Sequence, residues 1–225
     1  MRYSRSAAAV LSAGRARLPG MTEPTSDPKS VLHRYQRLAR ETMLWKLDGL
    51  SEYDLRRPLT PTATNLLGLI KHLTGCEISY FADTFGRPFP DTPEWLHEED
   101  PELNVDMWAR ADESSAEIID RYRRACAHGD ETITMLDLDS PGTVPHWPAE
   151  RSGVTLHTIL VHMLAETNRH AGHADIVREL VDGGTGMRSD VSNLPEEDAR
   201  WWAAYRATVE NAAAQARSTN TPQPR

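Results

Sequence analysis

The chain has 225 residues, 39% of them hydrophobic, which suits one domain of ordinary size with ragged ends and not a membrane protein. No run of about 18 apolar residues occurs, so no membrane span is expected. A formal net charge of -8 argues against a nucleic-acid partner, which needs a basic face, and two cysteines, Cys76 and Cys126, point to a reducing cytoplasmic setting and not a disulfide scaffold.

Residues 1–20 are basic, with an apolar stretch from Ala7 to Leu11 too short for a signal peptide. Residues 1–26 are read as a disordered extension, with Met21 as an alternative start. Asp27-Pro28 opens the first helix with a capping side chain and a proline at the first helical position. Val31, Leu32, Tyr35, Leu38, Ala39, Thr42, Trp45 and Leu47 recur at helical spacing up to Gly49. Ser51-Glu52-Tyr53-Asp54 begins a short turn that stops at Pro58. Leu66, Leu69, Ile70, Leu73, Cys76, Glu77, Tyr80 and Phe81 carry a second helix to about Gly86. Pro88, Pro90, Pro93 and Pro101 then force a long loop. A third helix is expected from Val105 to Ala127, a shorter segment from Asp130 to Leu136, and another loop from Ser140 to Arg151. Leu156, Ile159, Leu160, Met163, Leu164, Ile176, Val177 and Leu180 pattern a long helix that Gly183-Gly184 stops. A last helix with Trp201, Trp202 and Tyr205 runs from Pro195 to Ala213, and residues 214–225 form a frayed tail. No two-residue alternation marks a strand. The chain reads as all-α, a four-helix bundle over residues 27–213 with long crossover loops and an extra C-terminal helix.

The informative string runs from His162 through Glu166, His170 and His173 to Asp175. Helical residues four apart lie about 40° apart on one face, so Glu166 and His170 project side by side. His162 falls one turn earlier and His173 three residues later. A carboxylate and an imidazole at this spacing can hold one metal ion from a single helix. The bland alternative is that Glu166 and Asp175 simply satisfy these histidines. A third ligand from another helix decides between the two, and His72, set among Leu69, Ile70 and Leu73, is the best placed. An imidazole near a core needs a polar partner, which a metal on the facing helix would supply.

The stretch from Thr64 to Leu73 and the stretch from Leu160 to Glu179 resemble the DinB superfamily, the second string more specifically than the first. The resemblance covers about Pro28 to Gly186. It implies a DinB-like four-helix bundle holding one divalent metal, zinc or nickel, by three side chains from two helices. Mapped by position, these are His72, Glu166 and His170. The glutamate variant is similar to mycothiol-dependent maleylpyruvate isomerase. His162 and His173 are then groups beside the ligands, serving catalysis or lining the substrate pocket. Three protein ligands leave a coordination position open, and an open zinc lowers the pKa of a coordinated thiol or water. The resemblance implies a transferase that activates a low-molecular-weight thiol such as mycothiol against electrophilic small molecules, in a homodimer. A thiol-dependent isomerase, a hydrolase using activated water, and a non-catalytic metal-binding stress protein share the same site. Lys29, Lys46 and Lys71 are the only lysines among many arginines and alanines, a GC-rich usage that favours mycothiol.

Other residues receive plainer readings. Cys76, one turn after His72, is taken as a small core hydrophobe, and Cys126 has no evident partner. Arg169 and Arg178 are taken as ion-pair partners of Glu179 or Asp182 rather than anchors for an anionic substrate. Trp95, Trp108 and Trp147 either line a pocket or cover the core. His33, His97, His128, His146 and His157 form no usable arrangement.

Overall fold

The computed structural model describes residues 27–219, and the expectations for residues 1–26 and for an early or late start lie outside them. The chain divides into two compact units at Ser192 and Asn193.

The first unit is built on four helices. α1 (Pro28–Trp45) starts where the Asp27 carboxylate accepts the Ser30 amide at 2.9 Å. α2 (Glu52–Arg56) is a short turn capped by Ser51. α3 (Leu66–Glu77) starts where the Asn65 side chain accepts the Gly68 amide at 2.8 Å. It continues into a π turn (Ile78–Ala82) and a 3-10 turn (Asp83–Phe85) that ends at the left-handed Gly86. A further 3-10 turn spans Glu94–Leu96. α4 (Ser115–Met135) is capped by Ser114. β1 (Pro141–Thr143) and β2 (Gly153–Thr155) pair antiparallel, Pro141 opposite Thr155, with the short α5 (Ala149–Ser152) between them. α6 (Leu156–Asp182) starts at the Thr155 cap and stops at Gly183. Each of α1, α3, α4 and α6 packs against two others, α1 on α6 and α4, and α3 on α4 and α6. That ring is the expected four-helix bundle.

Two large apolar clusters fill the bundle, beside a smaller one of Ile78, Ala82, Phe89 and Ala125. One holds Met43, Leu66, Leu69, Ile70, Tyr122 and Ala174, and the other Phe81, Ile133, Leu156, Ile159, Leu160 and Met163. Along the helices a polar layer separates them. Arg40 donates to both oxygens of Glu77 at 2.7 and 2.6 Å, and Gln36 donates to Thr167 at 3.1 Å. Arg40 also reaches Asp130, which His33 contacts at 2.7 Å. Apart from the Gln36 side-chain oxygen, these groups are hydrogen-bonded to one another, as most buried polar atoms are.

Four expectations change. The third helix begins at Ser115, not Val105, because the backbone of Met107 and Trp108 serves as acceptor for Asn65 and Lys71 from α3. No break occurs at Asp130, whose carboxylate pairs with Arg40 and His33 instead of capping a helix. The second helix changes to π and 3-10 geometry before Gly86. The hairpin strands are three residues each, too short for alternation to reveal them.

The second unit carries α7 (Ala199–Thr219). It starts where Asp198 accepts the Trp201 amide at 2.8 Å, and its alanine-rich end extends the helix through residues 214–219 of the expected tail. The Trp201 and Tyr205 rings stack at 5.2 Å. Among the described residues no helix is long and apolar enough to cross a membrane.

Candidate metal centre

α3 is almost wholly enclosed. From Leu66 to Glu77 every residue is buried except His72 and Cys76, which are half-buried and lie one turn apart on the same side. That side meets α6. There Glu166 and His170 stand one turn apart as their spacing requires, and the Glu166 Oε1 lies 3.0 Å from His170 Nε2 and 3.5 Å from His72 Nε2. The two imidazole rings are 4.8 Å apart. One ligand atom from each of His72, Glu166 and His170 lies within 4.8 Å of the other two. The sequence singled out these three residues for a metal, and the fold brings them together.

Asp106 completes the arrangement and was not foreseen. Its Oδ2 sits 2.7 Å from His72 Nδ1, which fixes the ring with Nε2 turned toward Glu166. A carboxylate behind a ligating histidine orients the ring and raises its basicity. The loop that carries Asp106 is held against α3. Asn65 Nδ2 donates to the Met107 carbonyl and Lys71 Nζ to the Trp108 carbonyl, both at 3.1 Å. A Cβ at position 68 would collide with the Met107 carbonyl, so Gly68 permits the approach. Reading residues from Val105 on as helix hid this role.

The charges are unevenly distributed. Burial opposes a charge on His72, but the hydrogen bonds and charges of Asp106 and Cys76 outweigh it and push its pKa up to about 11. Burial would raise Glu166, yet its contacts with His170 and His72 hold it below the ordinary carboxylate range. Burial and the charge of His72 hold His170 down, against the pull of Glu166. Glu166 and His170 are therefore in donor form near neutral pH, and His72 is the ligand that must release a proton to bind a cation. Two nitrogens and a carboxylate oxygen suit zinc, nickel, cobalt or iron alike. The shared approach of both imidazoles to one oxygen, with His72 braced from behind, fits such an ion.

His162 and His173 lie on either side of this trio. His173 is exposed, its Nδ1 3.4 Å from His170 Nδ1. His162 packs on the Tyr80 ring at 4.6 Å and the Trp147 ring at 5.4 Å. Asp175 does not satisfy these histidines; it pairs with the fully buried Lys46 at 2.6 Å. Cys76 is no mere core filler, since its Sγ lies 3.5 Å from His72 Nε2. Arg178 pairs with Asp182 at 2.8 Å, as expected, and also donates to the Lys46 and Asp48 carbonyls. Trp95 covers α3 at Gly75, while Trp147 faces His162. His33, His97 and His128 bind Asp83, Asp130 or backbone away from the trio, whereas His146 contacts Tyr80 beside it.

A family model described as mycothiol-S-transferase matches residues 31–183. A comparison with curated proteins finds no match. The matched span runs from the first turn of α1 to the glycine that stops α6 and takes in His72, Asp106, Glu166 and His170. On that match the chain belongs to the mycothiol-S-transferase family, a DinB-like family.

Proposed function

We propose that the chain is a metal-dependent transferase that joins a low-molecular-weight thiol, mycothiol, to electrophilic small molecules. The observation that carries this reading is the convergence of His72, Glu166 and His170 from two helices onto one point. These three would hold the ion, zinc by preference. A divalent ion with three protein ligands keeps a position for an outside ligand and lowers the pKa of a thiol bound there.

The protein's own contribution is positioning. Asp106 holds the His72 ring so that Nε2 faces Glu166. Glu166 lies between the two imidazoles and would offset part of the charge of a bound ion. His162 and His173, on either side along α6, would take up the thiol proton and flank the bound thiol. The half-buried exposure of His72, Cys76, Glu166 and His162 leaves this side of the bundle open to a small molecule.

The test is metal content and thiol conjugation together. Purified wild type is expected to retain one divalent ion and to accelerate the reaction of mycothiol with monochlorobimane. His72→Ala, Glu166→Ala and His170→Ala are each expected to lose the ion and the rate. No acceleration by the metal-loaded protein across several thiols and electrophiles would refute the transferase reading. Electrophile loss that persists without thiol would make it a hydrolase.

A further inference from the structure

A second polar cluster lies one turn along the same side of the bundle. On α6, His162 precedes Glu166 by four residues, about 6 Å of helix rise. On the facing chain, Tyr80 follows Cys76 by four residues and sits in the π turn that continues α3. An i to i+5 turn advances each residue by less than an α turn, which keeps Tyr80 in line with Cys76 and His72; such turns recur at functional sites. The Tyr80 and His162 rings meet at 4.6 Å. From the hairpin, Trp147 Nε1 donates to the Tyr80 hydroxyl at 3.3 Å, and His146 Nε2 contacts the same hydroxyl at 3.3 Å. His146 is exposed, so the cluster reaches solvent at that end.

We propose that Tyr80 is the proton donor to an oxyanion formed on the electrophile, and that the site accordingly selects aryl epoxides. This rests on the transferase reading above. With its proton on Nε2, His146 donates to the Tyr80 hydroxyl alongside the indole N–H, which leaves the hydroxyl's own proton free to be given away. His146 stands behind it with a path to water. The walls offered by Tyr80, Trp147 and His162 are aromatic and suit an aryl group. A nucleophilic sulfur, two carbons, an oxygen and one hydrogen bond span about 6 Å, which matches the one-turn spacing of the two clusters.

The step balances. The thiolate sulfur bonds to an epoxide carbon, and the C–O bond to that carbon breaks with its electron pair on oxygen. The alkoxide takes the proton of the Tyr80 hydroxyl. The phenolate recovers a proton from His146 Nε2, and the imidazole regains one from solvent, which received the proton that the thiol released. The product is a β-hydroxy thioether. An alkyl halide needs no such proton, because the halide leaves as an anion.

The experiment compares styrene oxide with monochlorobimane, mycothiol being the thiol in both. The ratio of the two kcat/KM values is measured for wild type, Tyr80→Phe and His146→Ala. General acid catalysis contributes roughly 10²–10⁴-fold, so the epoxide-to-halide ratio is expected to fall about 100-fold in Tyr80→Phe and less in His146→Ala. A second readout needs no metal: quenching of tryptophan fluorescence by the styrene-derived β-hydroxy thioether, expected to need about tenfold more ligand in Tyr80→Phe. Wild-type turnover with bimane but an unchanged ratio in Tyr80→Phe overturns the role of Tyr80 and leaves the transferase reading standing. No thiol-dependent turnover with either electrophile overturns both.

Discussion

Two groups of charged side chains cross the same bundle, and they are built on opposite plans. Arg40 and Glu77 are 3% and 1% exposed, and each charge meets its opposite through two hydrogen bonds. Burial opposes the charge on Arg40, and the carboxylate of Glu77 outweighs that cost. Across α3, His72 and Glu166 are only partly enclosed beside the buried His170, and two imidazoles compete for one carboxylate oxygen. The first group has no unmet demand and holds helices together. The second turns one ligand atom from each of three side chains toward a single point and fits an added cation. One-to-one pairing of opposite charges marks structure, and several ligand atoms sharing one point mark a site.

The comparison breaks most visibly in stability. Removing the carboxylate of the enclosed pair, as in Glu77→Gln, leaves the buried Arg40 with Asp130 as its remaining carboxylate and is expected to cost about 3 kcal/mol in urea unfolding, the low end for a broken buried pair. The double change Arg40→Met with Glu77→Leu is expected to recover most of that loss. A loss under 1 kcal/mol in the single variant would contradict the structural reading of the pair. The open group should answer the other way. His170→Ala is expected to lower metal affinity by more than about 100-fold, the upper end for supporting partners, with little change in the urea midpoint. Asp106→Asn sharpens the same contrast, with an expected fall of about 10–100-fold in metal affinity and an unchanged fold by circular dichroism. An affinity equal to wild type would show that Asp106 does not orient His72.

The smallest effect is at acid pH. Burial would raise Asp130, but the hydrogen bond of His33 and the charge of Arg40 hold its carboxyl below the ordinary 3.8. The unfolded chain therefore binds that proton first as pH falls. Its stabilising contribution is complete above about 3.8 and is lost as pH drops through the lower folded value. Asp130→Asn is expected to flatten the acid limb of the stability curve while lowering stability at pH 7. A limb as steep as in wild type would remove Asp130 from the account.

Much of the metal trio was legible without coordinates because its signal is local. Glu166 and His170 share a helix face by spacing alone, and His72 stood out as an imidazole amid leucines. The boundaries that failed were those set by distant partners. Val105 to Ser114 has a helix-like pattern, yet Asn65, Gly68 and Lys71 draw its backbone onto α3. Tyr80 fits a helical repeat and is buried, but its hydroxyl also meets His146 and Trp147 from the hairpin.

The sequence by itself determined the helices, their caps and stops, and the i, i+4 placement of the two ligands on α6, because each depends on residues within one or two turns. Only the tertiary structure decided that Asp106 stands behind His72, that Arg40 and Glu77 close a separate layer, and that Tyr80, His146 and Trp147 meet beside the trio. Those contacts join residues 34 to 67 positions apart. They form only when loop backbones find acceptors and space on a packed helix, which no local spacing specifies.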